Sequence, residues 1–116
     1  MNIANSLVVA AALAILPLPI FAKELTGSAL VEALSGRSFS CDAEGKPMTI
    51  TFGKAKKNGS VNYRGKLNGR SFSSSYKMDK SGRYRNGGRL REVHRTGKGK
   101  VTILSKDLPT AVCTVK

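Results

Sequence analysis

Glu92 and His94 lie two residues apart in the charged run Leu90–Arg95. On a strand, residues two apart project from the same face. Arg83, Arg89, Arg91 and Arg95 are close by in sequence. A carboxylate base, an imidazole acid and a guanidinium facing phosphate are the groups that RNA transesterification requires. Two observations weigh against that chemistry. His94 is the single histidine of the chain, so a two-histidine hydrolase is excluded. Spacing also leaves open whether the two groups come within hydrogen-bond reach. The simpler expectation is that Glu92 pairs with an arginine across strands and His94 is a polar surface residue. No nucleophile elbow is present, and Ser73-Ser74-Ser75 without a placed base reads as polar strand surface. Two cysteines and one histidine do not complete a four-ligand zinc site, so no metal and no cofactor are expected. The chain is read as a non-enzyme.

The elements that must carry these residues follow from charge and pattern. The first 22 residues carry no charged side chain, and the rest carries all of the net charge of +13. Met1–Ala22 reads as an export signal. Leu7 to Phe21 is apolar, Pro17 and Pro19 end its helical propensity, and Ile20 and Ala22 suit a signal peptidase. A membrane span needs about 20 apolar residues, more than this run supplies. Cleavage is predicted after Ala22. Residues 23–116 then form one small basic domain without an integral membrane span, periplasmic or secreted, and monomeric. Cys41 and Cys113 lie near its two ends, and an oxidising compartment makes a disulfide between them the expectation. Such a loop, about seventy residues long, is worth roughly 4 kcal/mol in the chain-entropy model.

Thr26 or Ser28 can cap a short helix through Ala29–Leu34, with Gly36 at its end. After Gly36 the pattern alternates with period two. Phe39 and Cys41 share a face, as do Met48, Ile50 and Phe52, and Phe72, Ser74, Tyr76 and Met78. Ala111, Cys113 and Val115 form the last inward face. Asn58-Gly59 and Asn68-Gly69 are hairpin signals. Asp79–Gly82 and Asn86–Gly88 add turns. The fold class is therefore mainly β: a short N-terminal helix and an antiparallel meander of about six or seven strands. The meander is closed as a small barrel or curled sheet. Matching parity at Cys41 and Cys113 predicts a bridge from the first strand to the last.

The charge is not evenly spread. Lys54 to Lys100 holds fifteen Lys/Arg against Asp79 and Glu92, while the remainder of the chain balances five against five. This stretch is the candidate anion-binding face: Lys54, Lys56, Lys57, Arg64, Lys66, Arg70, Arg83, Tyr84, Arg85, Arg89, Arg91, Arg95, Lys98 and Lys100. Such a field attracts phosphate-rich partners and costs stability through self-repulsion, which favours a real anionic partner over mere solubility. Tyr84, between Arg83 and Arg85, is expected to be exposed and able to stack on a base or sugar. Gly97-Lys98-Gly99-Lys100 lacks P-loop spacing and reads as a flexible basic turn. The predicted function is non-catalytic binding of an envelope polyanion, a nucleic acid or an acidic protein.

Two resemblances add alternatives. Phe39-Ser40-Cys41, Met48–Phe52, Ser81-Gly82-Arg83-Tyr84 and Cys113 resemble in layout the periplasmic C-type lysozyme inhibitor family. That resemblance implies a small exported β-barrel with a first-to-last disulfide, and Ser81, Tyr84 and Lys98 in the lysozyme cleft. The Ser-Gly-to-Tyr spacing is one residue shorter here, and the family's later Trp and Lys-Gly-Glu-Ala element is missing. A cationic lysozyme would also repel a chain of this charge. Leu25-Thr26-Gly27 with Leu30, followed by a glycine-rich β domain, resembles small exported bacterial proteins of unknown function. This implies a fold and no activity. Small secreted ribonucleases, a second alternative, are similar only in the residue types around Glu92 and His94.

Overall fold

The computed structural model describes residues 22–116, so all of the expected export signal except Ala22 lies outside the described residues. Strand β1 (Lys23–Glu24) leads into helix α1 (Gly27–Leu34). Eight strands follow: β2 (Ser38–Ala43), β3 (Lys46–Phe52), β4 (Val61–Leu67), β5 (Arg70–Met78), β6 (Tyr84–Asn86), β7 (Arg89–Gly97), β8 (Lys100–Leu104) and β9 (Ala111–Val115). Each of these pairs antiparallel with the next, and β9 returns to β2. The sheet is thus a closed eight-stranded up-and-down barrel. β1 is an extra strand on β7, with Lys23 opposite Arg95 and Glu24 opposite His94.

Period-two patterning places the core as expected. Phe39, Ile50, Phe52, Val61, Tyr76, Val93, Val101 and Ile103 point inward and are buried. At the seam, Cys41 lies directly opposite Cys113, and the two form a disulfide across 72 positions of chain. The strand count exceeds the expected six or seven because β1 and β6 are too short to show alternation. Asn68-Gly69 forms a tight hairpin, with positive φ at both residues (50° and 86°). Asn58-Gly59 does not. It sits in a longer loop, residues 53–60, where the Asn58 side-chain carbonyl accepts hydrogen bonds from the Ser60 amide and hydroxyl.

The two ends of the barrel differ. Leu30, Ala33 and Leu34 of α1 are buried against one end, each leucine stabilising by about 2 kcal/mol. Thr26 occupies the N-cap position without a side-chain hydrogen bond. Instead the Gly27 amide donates to the Gly82 carbonyl at 2.8 Å, and the Gly36 amide to the Gly53 carbonyl at 3.0 Å. These bonds tie the helix to the β3–β4 and β5–β6 loops. The other end is ringed by the turns at 44–45, 68–69 and 87–88 and the loop at 105–110. It opens into a cavity of about 270 Å³.

Gly65 on β4 is where the wall is tightest. A Cβ there would overlap the Thr49 carbonyl and lie 2.7 Å from the ring tip of Phe72. Phe72 is its cross-strand partner, so its ring leans over the space that the missing side chain leaves.

Candidate functional site

The strand order converts the basic stretch into the barrel wall from β4 to β7, with loops at both ends. Lys54, Lys56 and Lys57 are exposed in the loop at the helix-covered end. That loop is held: the Lys56 amide donates to the Ser60 carbonyl at 2.8 Å, and the Ala55 amide to Ser35 Oγ at 2.8 Å. Arg95, Lys98 and Lys100 sit on the β7–β8 hairpin at the same end and are exposed.

Arg64 and Lys66 point outward from β4 amid hydroxyls. Arg64 lies between Thr51 on β3 and Ser73 on β5, and Lys66 between Thr49 and Ser71. Ser38 and Ser40 on β2 extend the two rows, and Ser38 and Thr51 share a hydrogen bond at 2.9 Å. The Lys66 row continues through Thr114 to Lys100. The result is a shallow groove on the outer wall, lined by serine and threonine hydroxyls and two cations. Arg70 opens β5 at the other end and is exposed.

Five expected site residues have other work. Tyr84 is not exposed. It is wholly buried at 0 % and cannot stack on a ligand. β6 alternates, so Arg83 and Arg85 stay outside while the ring between them turns in. Its hydroxyl donates to the Gly59 carbonyl at 2.6 Å, which anchors the lysine loop. Arg91 is likewise inward, at 4 % exposure, because it shares parity with Val93 on β7. It is bidentate to Asp107, at 2.7 and 3.1 Å. Arg83 Nη2 donates to Glu24 Oε1 at 2.8 Å, with Nε 2.7 Å from Oε2 in ion-pair contact but off the hydrogen-bond axis. Arg85 Nε donates to Asp79 Oδ2 at 2.8 Å. Arg89 lies 3.6 Å from Asp107. A paired guanidinium has less charge to offer a ligand.

The carboxylates of the basic stretch are both occupied. Asp79 Oδ1 accepts from the Ser81 amide and hydroxyl and from the Arg83 amide. The Ser81 hydroxyl, then Arg85 and the Arg83 amide, hold the Asp79 carboxyl well below the ordinary aspartate range. Glu92 Oε1 lies 2.7 Å from His94 Nε2, so the two do come within hydrogen-bond reach. They stand on the convex outer wall, each partly exposed. Of the four guanidiniums expected near phosphate, Arg83 is bound to Glu24 and Arg91 to Asp107, Arg89 lies 3.6 Å from Asp107, and Arg95 has no carboxylate partner among the described residues.

The same geometry bears on the Ser81–Tyr84 segment. Its turn is built around Asp79 and sends Tyr84 into the core, away from any cleft a partner would offer. Among the described residues, no group of three or more His, Cys, Asp or Glu is placed to hold a metal. No helix among them is long and apolar enough to cross a membrane. Comparison of the chain with protein-family profiles, with curated proteins and with solved structures finds no match.

Sequence reasoning missed two features, Arg91 with its partner Asp107 and the cavity at the open end. Parity with Val93 was the available signal for Arg91. The cavity had none, since it depends on which end α1 covers.

Proposed function

We propose that the protein is an exported, non-catalytic binder of an anionic polymer. The surface it uses comprises Lys54, Lys56, Lys57, Arg64, Lys66, Arg70, Arg95, Lys98 and Lys100. One observation carries this reading. Both carboxylates of the stretch are engaged, while none of these nine cations has a carboxylate partner among the described residues. The hydroxyl rows flanking Arg64 and Lys66 add neutral donors suited to phosphate or sulfate oxygens. The long-range field of a +13 chain steers such a partner in. The Cys41–Cys113 bridge suits a periplasmic or secreted setting.

The test is a gel-shift titration with labelled single-stranded RNA at several salt concentrations, with lipopolysaccharide as competitor. If about five phosphates are neutralised, log K falls with log salt at a slope near −3.5. Competition by lipopolysaccharide at lower concentration than RNA would assign the partner to the envelope. Cleaved RNA would replace this reading with a nuclease at Glu92 and His94. Absence of any shift at low salt would overturn polyanion binding and bring an acidic protein or a lysozyme forward.

A further inference from the structure

We infer that the open end of the barrel binds a small single-chain anionic amphiphile, with its tail in the cavity and its head among the rim cations. Eight-stranded barrels are just wide enough to be filled by side chains or to hold one small ligand. Here α1 closes one end and leaves the other hollow. The cavity walls are apolar, with Met48, Ile50, Leu67, Phe72 and Ile103 contributing. Leu108, on the loop across the mouth, is 52 % exposed, an apolar side chain left at the rim of an apolar hole. At about 270 Å³ the space falls just under the ~300–1,000 Å³ of drug-sized sites, which suits one short chain and not a two-tailed lipid.

Among the described residues, the only charge on the cavity wall is Arg91, and Asp107 neutralises it in place. The interior therefore asks for an uncharged tail. The rim asks for an anion. Asp107 is offset by Arg91. Asp42 and Glu44 stay charged, Asp42 Oδ1 accepting from the Gly45 amide at 2.6 Å and Glu44 Oε2 from the Thr110 amide at 2.9 Å, but the cations of that end outnumber them. Lys46, Arg70 and Lys106, at the same end, have no carboxylate partner among the described residues. A cationic head would meet like charge there. The cavity lies inside the barrel and shares only Arg70, at its rim, with the polymer-binding surface.

The experiment is calorimetric titration of the oxidised protein with decanoate, decanol and decyltrimethylammonium below their micellar concentrations. Decanoate is expected to bind, decanol at least about tenfold more weakly, and the cation more weakly still. Ser74→Trp, which fills the cavity from its β5 wall, should weaken decanoate at least about tenfold and leave the RNA shift unchanged. Leu108→Asp alters only an exposed rim residue, so it tests the site in a chain whose core is untouched. It should weaken decanoate by a similar factor. No decanoate binding, equal binding of the cation, or decanoate binding unaffected by both substitutions would each overturn the inference.

Discussion

Arg91 holds both carboxylate oxygens of Asp107, and so joins the interior of β7 to the loop that precedes β9. Among the described residues, the guanidinium is the one charged group in the core. A buried ion pair adds little over an apolar pair, but removing one partner leaves the other exposed to the full desolvation penalty. Asp107→Ala should therefore lower Tm by roughly 5–10 °C, while Arg91→Met with Asp107→Leu should recover most of the loss. A smaller loss in the double variant than in Asp107→Ala is the outcome that thermal unfolding must show.

The pH dependence follows from the same contacts. Arg91 lowers the Asp107 carboxyl, and Ser81 with Arg85 lowers that of Asp79. A carboxyl lowered by folding stabilises above its unfolded value, near 3.9, and loses that contribution as pH falls through the folded value. Stability should be flat above about pH 5 and decline below about pH 4. In Asp79→Asn and Asp107→Asn the decline should be shallower, as read from Tm measured between about pH 2 and pH 7.

Alkaline titration should separate the tyrosines. Burial, and next the neighbouring Tyr63, raises the Tyr76 phenol far above its ordinary value, and burial raises Tyr84. A raised phenol keeps its neutral form in the folded state. Its contribution is present below about pH 10 and is lost as pH rises toward the folded value. Absorbance at the phenolate band should show Tyr76 and Tyr84 ionising only with alkaline unfolding. Smooth ionisation of Tyr76 and Tyr84 near pH 10 in folded protein would contradict their burial.

Tyr84→Phe removes one hydrogen bond to the lysine loop and keeps the ring in the core. The expected cost is about 1 kcal/mol, with faster hydrogen exchange across residues 54–60. Binding of RNA should weaken slightly with its salt slope unchanged. Replacing Lys54, Lys56 and Lys57 together by alanine should instead cut the slope by up to about 2.

Gly65→Ala tests the tightest point of the wall. The added methyl meets the Thr49 carbonyl and the Phe72 ring. Destabilisation at the upper end of ~1–3 kcal/mol is expected by urea unfolding. Phe72→Ala in the same chain should relieve the ring contact but not the backbone one.

Much of this architecture was legible in the alternation of Phe39/Cys41, Ile50/Phe52, Phe72/Tyr76 and Ala111/Cys113, because period two is a direct record of which face is buried. The exposed cations on loops and outward positions were legible for the same reason. Tyr84 was misplaced because β6 is three residues long, and a ring between two arginines looks exposed until its strand is known. Arg91 was misplaced because its charge outweighed its parity, and its partner lies in a distant loop. Barrel and curled sheet share every local pattern. Only the β9–β2 register separates them, and the cysteine pair was its one local trace.

Around this barrel almost every strand finds its partner next to itself in sequence, so short loops suffice to zip β2 through β9 in order. Among the eight barrel strands the exception is the join of β9 to β2, the one long-range pairing that closing the barrel requires. Long-range closure of that kind slows folding, because chain entropy is lost before contacts reward it. The Cys41–Cys113 bond crosses that one join. Once formed, it keeps the two strands together in the unfolded chain, so an oxidised molecule starts each refolding with its slowest search already done.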